Sequence, residues 1–266
     1  MAHIRRIFPG GNTASGLYSF HDNIIGDNRN MLYIIKGMPG GGKSSLMRDI
    51  GNRMMKKGYE IEYHHCPSDP DSIDGLAINK LKVGIVDGTP PHGMDPIYPK
   101  IKDKIINIER FIDEKKLENS REDIINAKAN NKYAYGKAFK YFKAAETVYE
   151  LIEESNIKYV NHKEVNKKGI ELIKDVFHNK EQKIEYDGFN IRHLFSAAYT
   201  PEGFVDYTET ILETIENIYF IQSEIGIGEQ KILDTILGLS KLKNYQLELF
   251  YNPLIPERIE SIFIKD

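Results

Sequence analysis

The sequence predicts an α/β protein with a parallel sheet, a long helical insertion and an incomplete second copy of its own opening segment. Three observations carry this. Apolar runs of strand length alternate with helix-period stretches over residues 1–96. From 97 to about 180 the chain holds no proline after Pro99 and is rich in Lys, Glu, Ile and Ala. From 190 to 266, residues of the opening segment return in the same order.

In the first zone, Leu32-Tyr33-Ile34-Ile35-Lys36 is a short apolar run ending at Gly37, the pattern of a buried parallel strand. Helix periodicity follows from Lys43 to Lys57. Leu46, Ile50 and Met54 share one face, Met47 widens it, and Gly58 stops the helix. Tyr59-Glu60-Ile61-Glu62-Tyr63 alternates with period two and reads as a second strand. Ser72 to Leu81 reads as a short helix. Lys82 to Asp87 reads as a third strand, followed by the turn Gly88-Thr89-Pro90-Pro91.

In the second zone Ala134, Ala138, Phe142, Ala145, Val148 and Ile152 trace one stripe, so 97–180 reads as two or three long amphipathic helices. Residues 181–190 are a polar connector containing Asp187-Gly188. In the last zone Arg192-His193-Leu194-Phe195 parallels Arg5-Arg6-Ile7-Phe8, and Thr200 and Gly203 match Thr13 and Gly16 at the same offset of 187. After a one-residue slip, Ile218-Tyr219-Phe220-Ile221 matches Leu32-Tyr33-Ile34-Ile35, and Gly226 and Gly228 match Gly40 and Gly42. Tyr245 and Pro253 then match Tyr59 and Pro67. This ordered run predicts an internal duplication, with units at 1–96 and 190–266 flanking the insertion at 97–180.

Composition narrows the class. The 266 residues are 41% hydrophobic and 28% charged, values ordinary for a soluble globular protein. A net charge of −3 argues against a protein that coats nucleic acid. The single cysteine, Cys66, allows no intrachain disulfide and suits a reducing cytoplasm. No stretch has the roughly 18–20 consecutive apolar residues that a membrane helix needs.

The chemistry concentrates after the first strand. Gly37-Met38-Pro39-Gly40-Gly41-Gly42-Lys43-Ser44 fits G-x-x-x-x-G-K-[ST], the P-loop pattern, and lies between an apolar strand and an amphipathic helix as that pattern requires. Glycines let the backbone wrap so that N–H groups point at phosphate oxygens, and the helix N-terminus adds its positive dipole end. In such a loop Lys43 reaches the β- and γ-phosphates of ATP, Ser44 ligates Mg²⁺ and Ser45 touches the α-phosphate. Asp87, at the end of an apolar strand, has the form of a Walker B aspartate that holds Mg²⁺ directly or through water. Gly88 follows it where many ATPases carry the glutamate that activates water, so the base comes from elsewhere or is weak.

His64, His65, Asp69 and Asp71 read either as a plain loop or as groups that polarise water or a substrate hydroxyl. Pro67 and Pro70 stiffen that segment, and no second Cys/His cluster supports a metal site there. His92 reads equally as a γ-phosphate sensor or a turn histidine. Arg5, Arg6 and Gly10-Gly11-Asn12-Thr13 read as an edge strand and turn, or as groups that approach the nucleotide or the other copy. Lys137, Lys140 and Lys143, interleaved with Tyr133, Tyr135, Phe139 and Tyr141, read as nucleic-acid binding or as a helix with core on one side and solvated charge on the other, and the acidic residues nearby favour the latter. In the second copy Gly37, Lys43 and Ser44 become Ser223, Glu229 and Gln230, and Lys231 falls one residue too late. A carboxylate in place of the ammonium repels phosphate, so this loop is expected to be inactive.

Phe8-Pro9-Gly10-Gly11-Asn12-Thr13, the P-loop, Ser72-Ile73-Asp74-Gly75 and Val86-Asp87-Gly88-Thr89-Pro90-Pro91-His92 resemble a group of little-characterised bacterial tandem P-loop ATPases. Leu194-Phe195-Ser196-Ala197 and Thr200-Pro201-Glu202-Gly203 resemble the opening of their second half. The resemblance implies ATP binding and hydrolysis, carried by Gly37 to Ser45 and Asp87. The expectation is therefore a cytoplasmic, Mg²⁺-dependent ATPase whose cycle switches its conformation, with catalytic Lys43 and Asp87. The alternatives are a small-molecule or nucleotide kinase with the insertion as a lid, and a non-hydrolysing ATP sensor that meets a protein partner through the insertion.

Overall fold

The computed structural model describes residues 3–90, 93–178 and 188–265. The chain enters through β1 (Ile4–Ile7), turns through the hairpin β2 (Gly10–Thr13) and β3 (Gly16–Ser19), and reaches β4 (Met31–Lys36). A glycine-rich loop leads into α1 (Lys43–Lys56), followed by β5 (Ile61–Cys66), β6 (Asp69–Ile78), β7 (Val83–Asp87) and β8 (Asp103–Asn107). These form a six-stranded sheet in the order β1-β5-β6-β7-β4-β8. Every strand runs parallel except β6, which is antiparallel to both neighbours. The protein is thus mixed α/β with a mostly parallel central sheet.

β6 replaces the short helix expected at Ser72 to Leu81; only Asn79–Leu81 coils, as one 3₁₀ turn. The reason is burial on both faces. Ile73 to Ile78 are all buried between β5 and β7, and a six-residue stretch covered on two sides satisfies its backbone in a ladder. α1 packs Met47 into the core beside Ile35, Tyr63 and Leu76, while Leu46 stays partly exposed, so the buried stripe is centred one residue later than the periodicity suggested.

β8 lies within the stretch read as helical, pairing with β4 on the side opposite β7. Arg29 holds it there by donating to both oxygens of the buried Asp103 at 2.9 and 3.1 Å. α2 (Glu114–Asn119), the 36-residue α3 (Arg121–Asn156) and α4 (His162–Val176) follow. The stripe from Ala134 to Ile152 is not core. Val148 and Ile152 are exposed, and on α3 only Glu146 is buried. Most of the connector at 181–190 lies outside the described residues.

The final segment comprises β9 (Ile191–Leu194), the hairpin β10 (Ala197–Thr200) and β11 (Gly203–Asp206), α5 (Thr208–Leu212), α6 (Glu229–Leu242), β12 (Gln246–Tyr251) and β13 (Ile259–Lys265). Its sheet, β13-β12-β9, has the pairing of β6-β5-β1: β9 is parallel to β12 and β13 antiparallel to it. Arg5 sits opposite Glu62, and Arg192 opposite Glu248. The hairpins correspond bond for bond. Thr13 Oγ1 donates to Gly16 O at 2.8 Å and Thr200 Oγ1 to Gly203 O at 2.9 Å. Ile218 to Ile221, expected to repeat β4, form no strand. β4 is held between β7 and β8, and the segment from 190 to 265 has no counterpart of either to pair with them.

Candidate functional site

β4 delivers the chain to the carboxyl edge of the parallel strands, where α/β sheets bind ligands. The loop then turns tightly: Gly41 N–H donates to Met38 O at 3.2 Å, and Gly40 and Gly42 have φ of 76° and 87°. Glycine takes those left-handed angles without strain, and a Cβ at either position would meet nothing within 4 Å. Gly42 caps α1 with no side-chain bond, and the first turn of α1 carries no acidic residue. Its N–H groups and the positive end of its dipole therefore meet the loop uncompensated by a side-chain carboxylate of that turn.

Lys43 is buried, its Nζ donating to Gly37 O at 2.7 Å and Met38 O at 2.9 Å and lying 3.5 Å from Asp87 Oδ2. Asp87 ends β7 beside Ile35 of β4. Its Oδ1 accepts from Thr89 N–H at 2.8 Å, and Thr89 Oγ1 donates to Gly37 O at 2.7 Å, tying the two strand ends together. Ser44 Oγ accepts from Ile73 N–H at 3.0 Å, which fixes α1 against β6.

Pro39 to Ser45 and Asp87 line one side of a cleft of about 880 Å³. Gly37 and Met38 lie behind it and supply carbonyls to Lys43. Cys66, Asp69, Asp71 and Asp74 line a second side. Lys128, Asn131, Lys132, Tyr135 and Phe139 line a third, spaced to share one face of α3. Arg48 also reaches the cleft, donating to Asp71 O.

His64 and His65 do not line this cleft. β5 continues through Cys66, beyond the alternating stretch that signalled it, so both histidines are strand residues packed inside. His64 Nε2 lies 2.9 Å from Glu62 Oε1, and His65 Nδ1 donates to Pro70 O at 2.7 Å. Burial pushes the His65 imidazole down to about 4, with Arg6 adding to it and the Pro70 bond opposing. Burial, reinforced by Asp74, pushes the Cys66 thiol up to about 12. His92 lies outside the described residues.

β1 is an edge strand and Gly10–Thr13 one arm of a hairpin, as expected, and Arg5 also reaches the second unit. Arg5 and Arg192 both donate to the buried Glu62 and Glu248, and Lys265 Nζ lies 3.0 Å from Glu248 Oε1, forming a five-membered ion cluster between the two units. The aromatic residues of α3 divide: Tyr135 and Phe139 line the cleft, while Tyr133 and Tyr141 face solvent. Arg48, Asp74 and the α3 cations were missed as site residues from sequence. Arg48 follows Ser44 by one helical turn, and 128, 132, 135 and 139 recur at helical spacing. That spacing shows only that Arg48 shares a helix face with Ser44 and that the α3 residues share one face with each other, not that either meets the loop.

The second loop keeps the shape of the first: Gly226 and Gly228 have φ of 78° and 118°. Its interior is filled differently. Glu229 Oε2 accepts from Gly228 N–H at 3.1 Å and Ser223 Oγ at 3.2 Å, so a carboxylate of the chain takes the loop's donors. Arg258 donates to Glu229 at 3.1 Å and to both oxygens of Glu153 at 2.8 and 2.9 Å. A Cβ at Gly226 would lie 2.8 Å from Glu153, and one at Gly228 2.8 Å from Val165, so α3 and α4 close this loop. Compared with protein-family models, with curated proteins and with solved structures, the chain matches none.

Proposed function

We propose that the protein binds Mg·ATP in the loop Gly37 to Ser45 and hydrolyses it. One observation carries this reading: the G-x-x-x-x-G-K-S segment joins a buried parallel strand to a helix N-terminus and opens onto a cleft, with Lys43 Nζ 3.5 Å from Asp87. Loop amides and the α1 dipole would bind the phosphates. Lys43 would exchange its bonds to Gly37 O and Met38 O for phosphate oxygens and offset charge that develops there. The donor set suits Mg²⁺, since Ser44 offers a hydroxyl and Asp87 a carboxylate, both hard oxygens. Among the described residues no three His, Cys, Asp or Glu side chains group into a metal cage, so such an ion would complete its shell with phosphate oxygens and water.

With Gly88 after Asp87, a base for water must come from the opposite wall, where Asp69, Asp71 and Asp74 stand. The same wall, facing α3 across the cleft, favours a second reading. There the nucleophile is the hydroxyl of a small acceptor, and one of those carboxylates takes its proton. The deciding experiment measures Mg·ATP affinity and phosphate release for native protein and Lys43→Ala. Affinity unchanged in the variant would remove the ATP site from this loop. Tight binding without release would favour transfer over hydrolysis.

A further inference from the structure

α3 carries its charge in two blocks. Between Asp123 and Glu146 it has five lysines and no acidic residue; from Glu146 to Asn156 it has four glutamates and no lysine or arginine. The helix runs past both glycine loops. At the second loop the acidic block finds its cation within the chain. Glu153 accepts from Arg258, which also donates to Glu229, and Asn156 Nδ2 donates to Ile225 O at 2.9 Å. Glu229 accepts the loop's own N–H, so the anion there is a side chain.

At the first loop the basic block meets the cleft. Lys128 and Lys132, one helical turn apart, line it together with Asn131. Both lysines are exposed, and among the described residues neither meets a carboxylate, a carbonyl or a ring. Other carboxylates of the cleft are engaged elsewhere. Asp87 lies 3.5 Å from Lys43, Asp69 accepts from Ser72 Oγ at 2.6 Å, and Asp74 lies 3.4 Å from His21. Like charges at this helical spacing repel, and a bound anion relieves the repulsion. Lys143, where the two blocks meet, has Glu146 for that purpose. The chain thus supplies both signs at the closed loop and only the cations on the α3 wall of the open one.

We infer that Lys128 and Lys132 form an anion subsite, which takes an oxyanion of the phosphate class. Charged donors make the stronger hydrogen bonds to such a group, and the Asn131 amide adds neutral ones. The inference rests on the nucleotide reading of the loop for the class of the anion. The group is either a phosphate of the bound triphosphate, held from α3 as well as from the loop, or that of a second, phosphorylated ligand; the chemistry is shared.

The test is equilibrium binding of Mg·ATP, and of inorganic pyrophosphate with and without saturating Mg·ATP, to the full chain and four variants. Lys128→Ala/Lys132→Ala should lose at least ten-fold in affinity for one of the two probes, as expected when two charge-assisted contacts go. Loss for Mg·ATP identifies the nucleotide's own phosphates as occupant. Loss for pyrophosphate bound beside Mg·ATP identifies a separate phosphorylated ligand. Lys128→Arg/Lys132→Arg should restore most of the affinity. Lys137→Ala/Lys140→Ala removes the same charge from the same helix outside the cleft and should change neither affinity more than two-fold. Native affinities in the Lys128/Lys132 alanine variant overturn the subsite, and so do equal losses in the Lys137/Lys140 control, which reduce the effect to a diffuse field. Lys43→Ala should weaken Mg·ATP and spare pyrophosphate at a separate subsite. If native protein binds no Mg·ATP, the loop reading falls, and pyrophosphate alone, compared across the same variants, decides the subsite.

Discussion

Phe8 and Phe195 exchange backbone hydrogen bonds, Phe8 N–H to Phe195 O at 2.9 Å and Phe195 N–H to Phe8 O at 3.0 Å. The exchange is reciprocal in the flanking residues too. Arg6 N–H donates to Thr210 Oγ1 at 3.0 Å, and His193 N–H to Asn23 Oδ1 at 2.9 Å. The Phe8 ring stacks on Tyr207 at 5.1 Å, and Phe195 packs on Phe20 at 5.2 Å. Both phenylalanines are fully buried, so truncating either leaves a cavity in the joint. Phe195→Ala should cost about 3–5 kcal/mol. Urea denaturation followed by two probes should still show one coincident transition, because the joint belongs to both units.

The ion cluster beneath that joint makes a different prediction. Arg192 is buried and donates to Glu62 and Glu248, each at 3.1 Å through one nitrogen. Arg192→Met leaves the two carboxylates with Arg5 and, at Glu248, Lys265, and removing one partner from a buried ionic group costs about 3–5 kcal/mol. Adding Glu248→Gln should recover part of the loss. A double variant no more stable than Arg192→Met would show that the two residues do not interact energetically.

Stability should fall with acid, and the sign follows from two groups of residues. Burial holds His64 below its ordinary value and His65 at about 4, against 6.5 in the unfolded chain. Between those values the unfolded chain binds more protons, so stability is lost as pH falls through the window. His65 alone accounts for about 3 kcal/mol. Burial raises Glu62 and Glu248, but the arginines outweigh it and hold both carboxyls well below the usual range. Their contribution is present above the unfolded carboxyl value and is lost at still lower pH. Urea midpoints at pH 7.5, 6 and 5 should decline, and His65→Asn should flatten the decline. Identical midpoints at all three would contradict the buried neutral imidazoles.

Two glycines of the loop should respond in opposite ways. Gly42→Ala meets no atom within 4 Å but forces a φ of 87° on alanine, so the cost is backbone strain of roughly 1–2 kcal/mol and a displaced loop amide. Gly37→Ala places a Cβ 2.6 Å from Ile108 Cγ1. Ile108→Ala should therefore rescue Gly37→Ala and do nothing for Gly42→Ala, read as Mg·ATP affinity and thermal midpoint.

Cys66 lines the cleft with its thiol held at about 12. At pH 8 it should react with iodoacetamide about a thousand-fold more slowly than an unperturbed thiol, since the thiolate is the nucleophile. Mass spectrometry of intact protein over time measures this directly.

The glycine loop and its flanking strand and helix were legible because turn chemistry, alternation and helical period are local signals. Leu32 to Lys36 and Lys43 to Lys57 lie within a residue of β4 and α1. β6 was not legible, since a strand buried on both faces and a buried helix share one composition. Ile218 to Ile221 failed for the converse reason: the residues of a central strand do not make one where its neighbours are missing. The α3 wall of the cleft was hidden because Lys128, Lys132, Tyr135 and Phe139 lie far in sequence from the loop they face. Asn12 stood in a run read as a turn or as approaching the nucleotide, and it does line the cleft, but its unpaired oxygen is a property of packing and not of sequence.

In the vocabulary of oligomers, the joint around Phe8 and Phe195 has the form of an isologous contact: each side makes the bonds that the other makes, as in a two-fold homodimer, yet both sides lie on one chain. Self-complementarity binds only the residues near the axis. Those far from it are released from symmetry and answer to different demands. Lys43 and Glu229 begin equivalent helices with opposite charge, and neither disturbs the joint. A true homodimer cannot do this, because a substitution in one subunit appears in both.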